Sequence, residues 1–288
     1  VQASVLTLVR GREAHLANLM RGLQHQTKPP AELVIAWMQD APFADLPDPG
    51  CPVRHVVVPG DPMPLAAARN RAAETARGEL LVFLDVDCIP SPTTVENYLK
   101  AAETREGLFL GEVLYLPEGA TDDGIDFARL DALGRVHPSK PVVPETGVRQ
   151  EPNAGELWGL SFALPRERYS RIRGMDETFV GYGGEETDFA ARLSASGLPF
   201  FWTGGARSYH QHHPVCVPPL QHFDHILRNA SLFRERHGRW CMDYWLGQFR
   251  DSGLIEWSED GSAITLKRRP DPAEIAASRE GSGERLFS

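Results

Sequence analysis

An α/β fold with a mainly parallel, Rossmann-like central sheet is predicted by three features of the chain. Strand-like and helix-like segments alternate through the first hundred residues, the order that builds βαβ units. Leu80–Leu84 is an unbroken apolar run, the length of a strand and apolar enough for cover on both faces. The run gives way at once to Asp85-Val86-Asp87. In open α/β sheets the carboxyl edge of the strands is where ligands bind.

Each element has its own reason. Ser4–Val9 is a strand followed by Arg10-Gly11-Arg12. Leu16, Leu19, Met20 and Leu23 recur at helical spacing, so Glu13–His25 is an amphipathic helix. Leu33–Met38 and Val53–Val58 are the next strands, separated by a Pro- and Asp-rich loop. Leu65–Arg77 is alanine-rich and helical, with Gly78 to end it. Alternation along Asp85-Val86-Asp87 puts both carboxylates on one side of the strand end. Pro90 and Pro92 stop the strand, and Ser91 with Pro92 caps a helix bearing Val95, Tyr98, Leu99 and Ala102. Leu108–Leu116 is a strand, and Gly119–Arg149 an insertion with a helix over Asp122–Leu133. Leu157–Leu164 is a further strand, with a short helix from Pro165. Gly181–Gly184 is a glycine turn before a helix over Glu185–Ser196, and a last core strand runs from Phe200 to near His210. Leu220–Arg236 and Met242–Phe249 are amphipathic helices, and Leu254–Trp257 with Ala263–Leu266 forms a hairpin. The expected organisation is one domain over 1–215, a helical extension with the hairpin over 216–266, and a loose polar tail over 267–288.

Bulk properties narrow the chemistry. A formal net charge of −9 argues against a nucleic-acid partner. One phosphorylated small molecule held by a metal and local arginines remains compatible with it. The four cysteines are scattered without a CxxC pair, so neither zinc nor a disulfide framework is indicated and a reducing, cytoplasmic compartment is expected. No apolar run reaches membrane-spanning length.

Three clusters carry candidate chemistry. Asp85 and Asp87 need a cation, and a divalent ion carrying a diphosphate would supply it. Tyr209-His210-Gln211-His212-His213 follows a strand, and imidazole joins carboxylates at Mn²⁺-type sites. Gly181-Tyr182-Gly183-Gly184-Glu185-Glu186-Thr187-Asp188 places three acids after a turn that lets backbone approach a ligand. Helix-dipole capping explains one or two of those acids; a general base towards a hydroxyl explains the excess. Arg69 and Asn70 lie on the helix just before the aspartate strand, where Arg and Asn can bond phosphate, ribose or base.

In this order the segments resemble family 2 glycosyltransferases of the inverting GT-A fold, over roughly Ser4–Pro214. Ala68-Arg69-Asn70 with LLVFLDVDCIPSP is similar to that family's ARN helix and DxD strand. Gly174–Phe179 resembles its acceptor-side turn, and Gly183–Leu193 its GGED segment in galactosyltransferase- and chondroitin- or hyaluronan-synthase-type domains. Tyr209-His210-Gln211 resembles the YHQ of the latter. The resemblance implies transfer of a sugar from a nucleoside diphosphate, with UDP expected, to a hydroxyl of a glycan, a lipid-linked or a small-molecule acceptor. It implies Mn²⁺ or Mg²⁺ on Asp87 and His210 with Asp85, and Glu186 as base with Glu185 as runner-up. Arg10, Arg12, Gln39, Arg69 and Asn70 would hold the donor, and Trp158, Glu185 and Asp188 the acceptor. Two departures stand out. Trp37-Met38-Gln39 replaces the acidic pair that usually meets the uracil, and Glu185-Glu186 replaces Glu-Asp. Peripheral membrane contact and a homo-oligomer are both compatible with this reading. The rivals are a retaining enzyme on the same fold, a sugar-phosphate nucleotidyltransferase and a non-catalytic sugar-binding protein. The chain has no glycine-rich, lysine-containing loop after its first strand, which counts against the second.

Overall fold

The computed structural model describes residues 1–280. The first half alternates as the sequence predicts: β1 (Ala3–Val9), α1 (Glu13–Gln24), β2 (Glu32–Trp37), β3 (Val53–Val57), α2 (Leu65–Thr75), β4 (Leu80–Leu84), β5 (Cys88–Pro90) and α3 (Thr94–Thr104). Then come β6 (Leu108–Tyr115), α4 (Phe127–Leu133), β7 (Arg135–Val136), β8 (Val148–Glu151), β9 (Ser161–Pro165) and α5 (Arg166–Arg171). The chain continues through α6 (Glu185–Ala195), β10 (Phe200–His210), α7 (Phe223–His237), α8 (Asp243–Asp251), the β11–β12 hairpin (Ile255–Glu256, Thr265–Leu266) and α9 (Pro272–Glu280).

The main sheet runs β3-β2-β1-β4-β9-β6-β10-β5. Strands β1 to β4 pair in parallel, and so do β6 and β10. Because β9 is antiparallel to both β4 and β6, those two groups point the same way. The carboxyl ends of β1, β2, β4, β6 and β10 therefore share one edge. One face of the sheet packs on α1 and α3 through Leu16, Leu19, Leu23, Val95 and Leu99. The other packs on α2 and α6 through Ala68, Ala72, Phe189 and Leu193. The small residues of α2 let it approach the sheet closely. α7, α8 and the hairpin share an apolar cluster of their own, built on Ile226, Phe233, Leu246 and Phe249, which takes in Phe179 beside the glycine turn.

Several expected boundaries are corrected. β4 stops at Leu84, and Asp85–Cys88 is a turn closed by Cys88 N–H donating to the Asp85 carbonyl (2.8 Å). Asp85 and Asp87 thus sit on a turn, where strand alternation does not set their directions. Cys88–Pro90 then forms a short edge strand against β10, and it is this strand, not β4, that ends at the prolines. Ser91 does not cap α3 with its side chain; its hydroxyl meets that of Thr94 instead (3.1 Å). α2 ends at Thr75, before Gly78, and the insertion's helix starts only at Phe127, capped by Asp126. Leu157–Leu160 stays outside β9 because Gly159 has φ +64°. Residues 272–280 of the expected tail are helical, while 281–288 lie outside the described residues.

Candidate active site

The shared strand edge gathers the predicted acids, histidines and arginines into two neighbouring clusters. The first is built on the Asp85–Cys88 turn. Pairing of Cys88 with His210 sets the turn beside the end of β10. Gln211 fixes that arrangement: its N–H donates to the Asp87 carbonyl (2.7 Å), its side-chain amide donates to the His15 carbonyl (3.1 Å), and its Oε1 accepts from Asn18 (2.8 Å). Ligand-type atoms of Asp87, His210 and His213 consequently lie within 4.8 Å of one another. Asp87 is 4% exposed. Arg12, in the left-handed conformation at the start of α1, pairs with its Oδ2. Its Oδ1 is buried without a hydrogen-bond partner. A buried, unpaired carboxylate oxygen is costly unless a cation meets it. Burial depresses His210 to about 4, and it also lowers His213, with Arg12 adding to the effect. Both rings are therefore neutral at pH 7 and keep a lone pair for a metal. One carboxylate and two imidazoles make a donor set that fits a divalent ion such as Mn²⁺.

Asp85, also expected to hold the ion, lies outside that three-residue group. Its carboxyl is raised to about 6, by burial first and then by Asp87, against the pull of Arg69 and Arg12. His213 stands in the group with Asp87 and His210. Its signal was the histidine-rich stretch after Tyr209, from which sequence reasoning chose only His210. His15, whose Nε2 lies 3.9 Å from Asp87 Oδ1, had no signal, because a histidine on an amphipathic helix looks like surface.

The second cluster centres on Arg69. Its Nη1 donates to Glu185 (3.0 Å) and its Nη2 to Glu186 (2.8 Å). Arg69 and Glu185 are buried, whereas the Glu186 side chain keeps a quarter of its surface exposed. Burial, with Glu185 and Asp85 nearby, pushes Glu186 up to about 7 despite Arg69. Gly159 brings its backbone against this carboxylate, where a Cβ would clash. Next to it, Trp158 is 36% exposed, with the Lys140 ammonium 3.4 Å from its ring centroid. Burial lowers Lys140 to about 8, and Glu156 holds it at 3.0 Å.

Other predicted residues are spent elsewhere. Asn70 bonds both the N–H and the carbonyl of Met175 (2.8 and 2.9 Å), with Tyr169 and Glu177 besides, so its amide holds the Gly174–Phe179 turn. Asp188 is 1% exposed, and its oxygens bond Arg192 (2.7 Å) and His237 (2.9 Å). Gln39 accepts from Gly11 N–H (2.8 Å) and donates to the Ala41 carbonyl (2.8 Å), shaping the turn after β1. Arg10 is exposed, 3.8 Å from Asp61.

A GT-A architecture with glycosyltransferase motifs at its strand edge defines a class, and comparison with known proteins agrees. The family "Glycosyl transferase family 2" matches residues 52–126, and "N-terminal domain of galactosyltransferase" matches 148–214. Both models describe glycosyltransferase domains, and each matches about a quarter of the chain. A validoxylamine A glucosyltransferase of Streptomyces hygroscopicus subsp. jinggangensis is 30% identical over 152 residues, 47% of this chain and 36% of that protein. The chondroitin synthase of Escherichia coli is 24% identical over 173 residues, 52% of this chain and 25% of that protein. The chain thus spans about a third or less of the curated relatives it matches. Among solved structures, GalNAc-T7 with UDP, GalNAc and Mn²⁺ matches 88% of this chain and 58% of its own at TM-score 0.52 and 15% identity. S. aureus TarS 1-349 matches 80% of this chain and 64% of its own at TM-score 0.53 and 12% identity. Among the described residues no helix is long and apolar enough to cross a membrane.

Proposed function

We propose that the protein transfers a hexosyl group from a nucleoside diphosphate, UDP being the first candidate, to an acceptor hydroxyl with inversion. The observation that carries this reading is the orphaned, buried Oδ1 of Asp87 beside two neutral imidazoles, with Glu186 in the adjoining cluster. Asp87, His210 and His213 would hold Mn²⁺ or Mg²⁺, which would supply Lewis-acid neutralisation of the leaving diphosphate. Arg12, paired with Asp87, would add positive charge beside the diphosphate. Glu186 accepts the proton of the acceptor hydroxyl as that oxygen attacks the anomeric carbon. A carboxylate with proton affinity near neutrality suits that task, because it is ionised at working pH and still basic. Arg69 keeps Glu186 aimed, and Glu185, buried behind it, balances the arginine's charge. The exposed face of Trp158 offers an acceptor ring a stacking surface.

A screen of nucleotide sugars tests this reading, in Mn²⁺ and in EDTA, with the anomeric configuration of the product determined. A glucosyl donor comes first, because validoxylamine A glucosyltransferases are among the relatives, and a UDP-linked GalNAc second, after the neighbour solved with those ligands. The expected result is turnover of at least one donor in Mn²⁺ only, with inverted product. Equal rates in EDTA would remove the metal. Retained configuration would move the chain to the retaining class, and pyrophosphate release would identify a nucleotidyltransferase.

A further inference from the structure

The turn that carries Glu186 is held from outside the sheet. Gly181, Gly183 and Gly184 all have positive φ, so the turn's own sequence leaves its shape loosely fixed. Helix α7 lies against it. Asn229 is fully buried, and its Nδ2 lies 2.7 Å from the Gly183 carbonyl, 3.2 Å from that of Val180 and 3.4 Å from that of Tyr182. Two amide protons serve three acceptors, and the shortest contact is to the residue nearest Glu185. The His225 ring fills the space where a Cβ on Gly181 would sit, and the Met242 sulfur does the same at Gly183. At the far end of α7, His237 reaches Asp188, two residues beyond Glu186 (2.9 Å). Contacts from one helix therefore bracket the acidic pair on both sides.

We infer that α7 is a positioning element for the proposed base and that Asn229 is its positioning residue. By fixing the carbonyls of the glycine turn, Asn229 fixes the start of α6 and hence the direction of Glu186. This rests on Glu186 being the base. The extension after the sheet is then part of the working site, although it supplies no group to the reaction.

Two variants of the full chain separate positioning from folding. Asn229→Ala removes the donors. Ile226→Ala, on the same helix and fully buried in its apolar cluster, removes packing alone. Both lower the melting temperature. Only Asn229→Ala is expected to lower kcat, by about 10- to 100-fold, the usual effect of a misplacement near 1 Å, with donor KM changed by less than about threefold. Amide exchange at residues 181–187 should quicken in Asn229→Ala and stay near wild type in Ile226→Ala. Asn229→Ser, which keeps one donor, should fall between Ala and wild type, and it gives the same split if the alanine variant does not fold. Loss of kcat in step with melting temperature in both variants would overturn the inference. So would unchanged exchange at the turn in Asn229→Ala. If the wild-type protein turns over no donor, the functional reading has failed, and exchange alone decides whether Asn229 holds the turn.

Discussion

The two halves of the site use the same physical force to opposite chemical ends. Around Asp87, burial depresses His210 to about 4 and leaves a neutral ring with a free lone pair. Around Arg69, burial raises Glu186 to about 7, the range that suits the base role proposed for it. Desolvation favours the neutral form in both places. What differs is whether the neutral form is the working one. The construction differs too. The proposed metal side is made by strand ends and backbone bonds, such as Gln211 N–H to the Asp87 carbonyl. The base side is made by side chains from remote helices, Arg69 on α2 and Asn229 on α7.

Removing a ligand on the proposed metal side should disturb both donor binding and turnover. Asp87→Ala and His210→Ala should each lower turnover by roughly 10³-fold, the several kcal/mol a Lewis acid supplies. Calorimetry with UDP should show tight binding in Mn²⁺ for the wild type and weak binding for both variants. Equal affinity in EDTA and Mn²⁺ would break the comparison.

On the base side, Glu186→Gln should leave UDP affinity nearly unchanged and lower kcat by roughly 10²–10⁴-fold. Stability should move the other way. In the folded protein Glu186 titrates at about 7, above its ordinary 4.5. Between those values the folded state holds a proton that the unfolded chain has lost, so stability falls as pH rises through that window. Glu186→Gln should therefore melt above wild type at pH 8 and show no such gain near pH 4. A lowered melting temperature at pH 8 with wild-type turnover would assign the residue to the helix N-terminus instead.

Sharper still is the pH profile. With donor and Mn²⁺ saturating, kcat should rise with pH to a plateau, with its midpoint near 7, as Glu186 ionises. A flat kcat from pH 5.5 to 8 would sink the assignment. Asn70→Ala should disturb activity least. It strands the N–H and carbonyl of Met175 and the Tyr169 hydroxyl. Stability should drop by about 1–3 kcal/mol, with donor KM within about twofold of wild type. A larger KM effect in the folded variant would return Asn70 to the donor site.

The sequence by itself determined the sheet and its loaded edge. Leu80–Leu84 could only be buried, and the acids and histidines after the strands could only gather where parallel strands end. Local order carries such information, because apolar periodicity and strand direction are properties of short segments. Tertiary structure alone decided which polar groups stay available for chemistry. Asn70 and Asp188 carry polar groups that the sequence leaves open, and the fold gives them partners in Met175 and in Arg192 and His237. His213 and Asn229 became important through partners on other elements of the fold. The reason is that a polar side chain's role depends on which partners fill its hydrogen bonds and how much water remains around it. Both are set by residues far away in the chain.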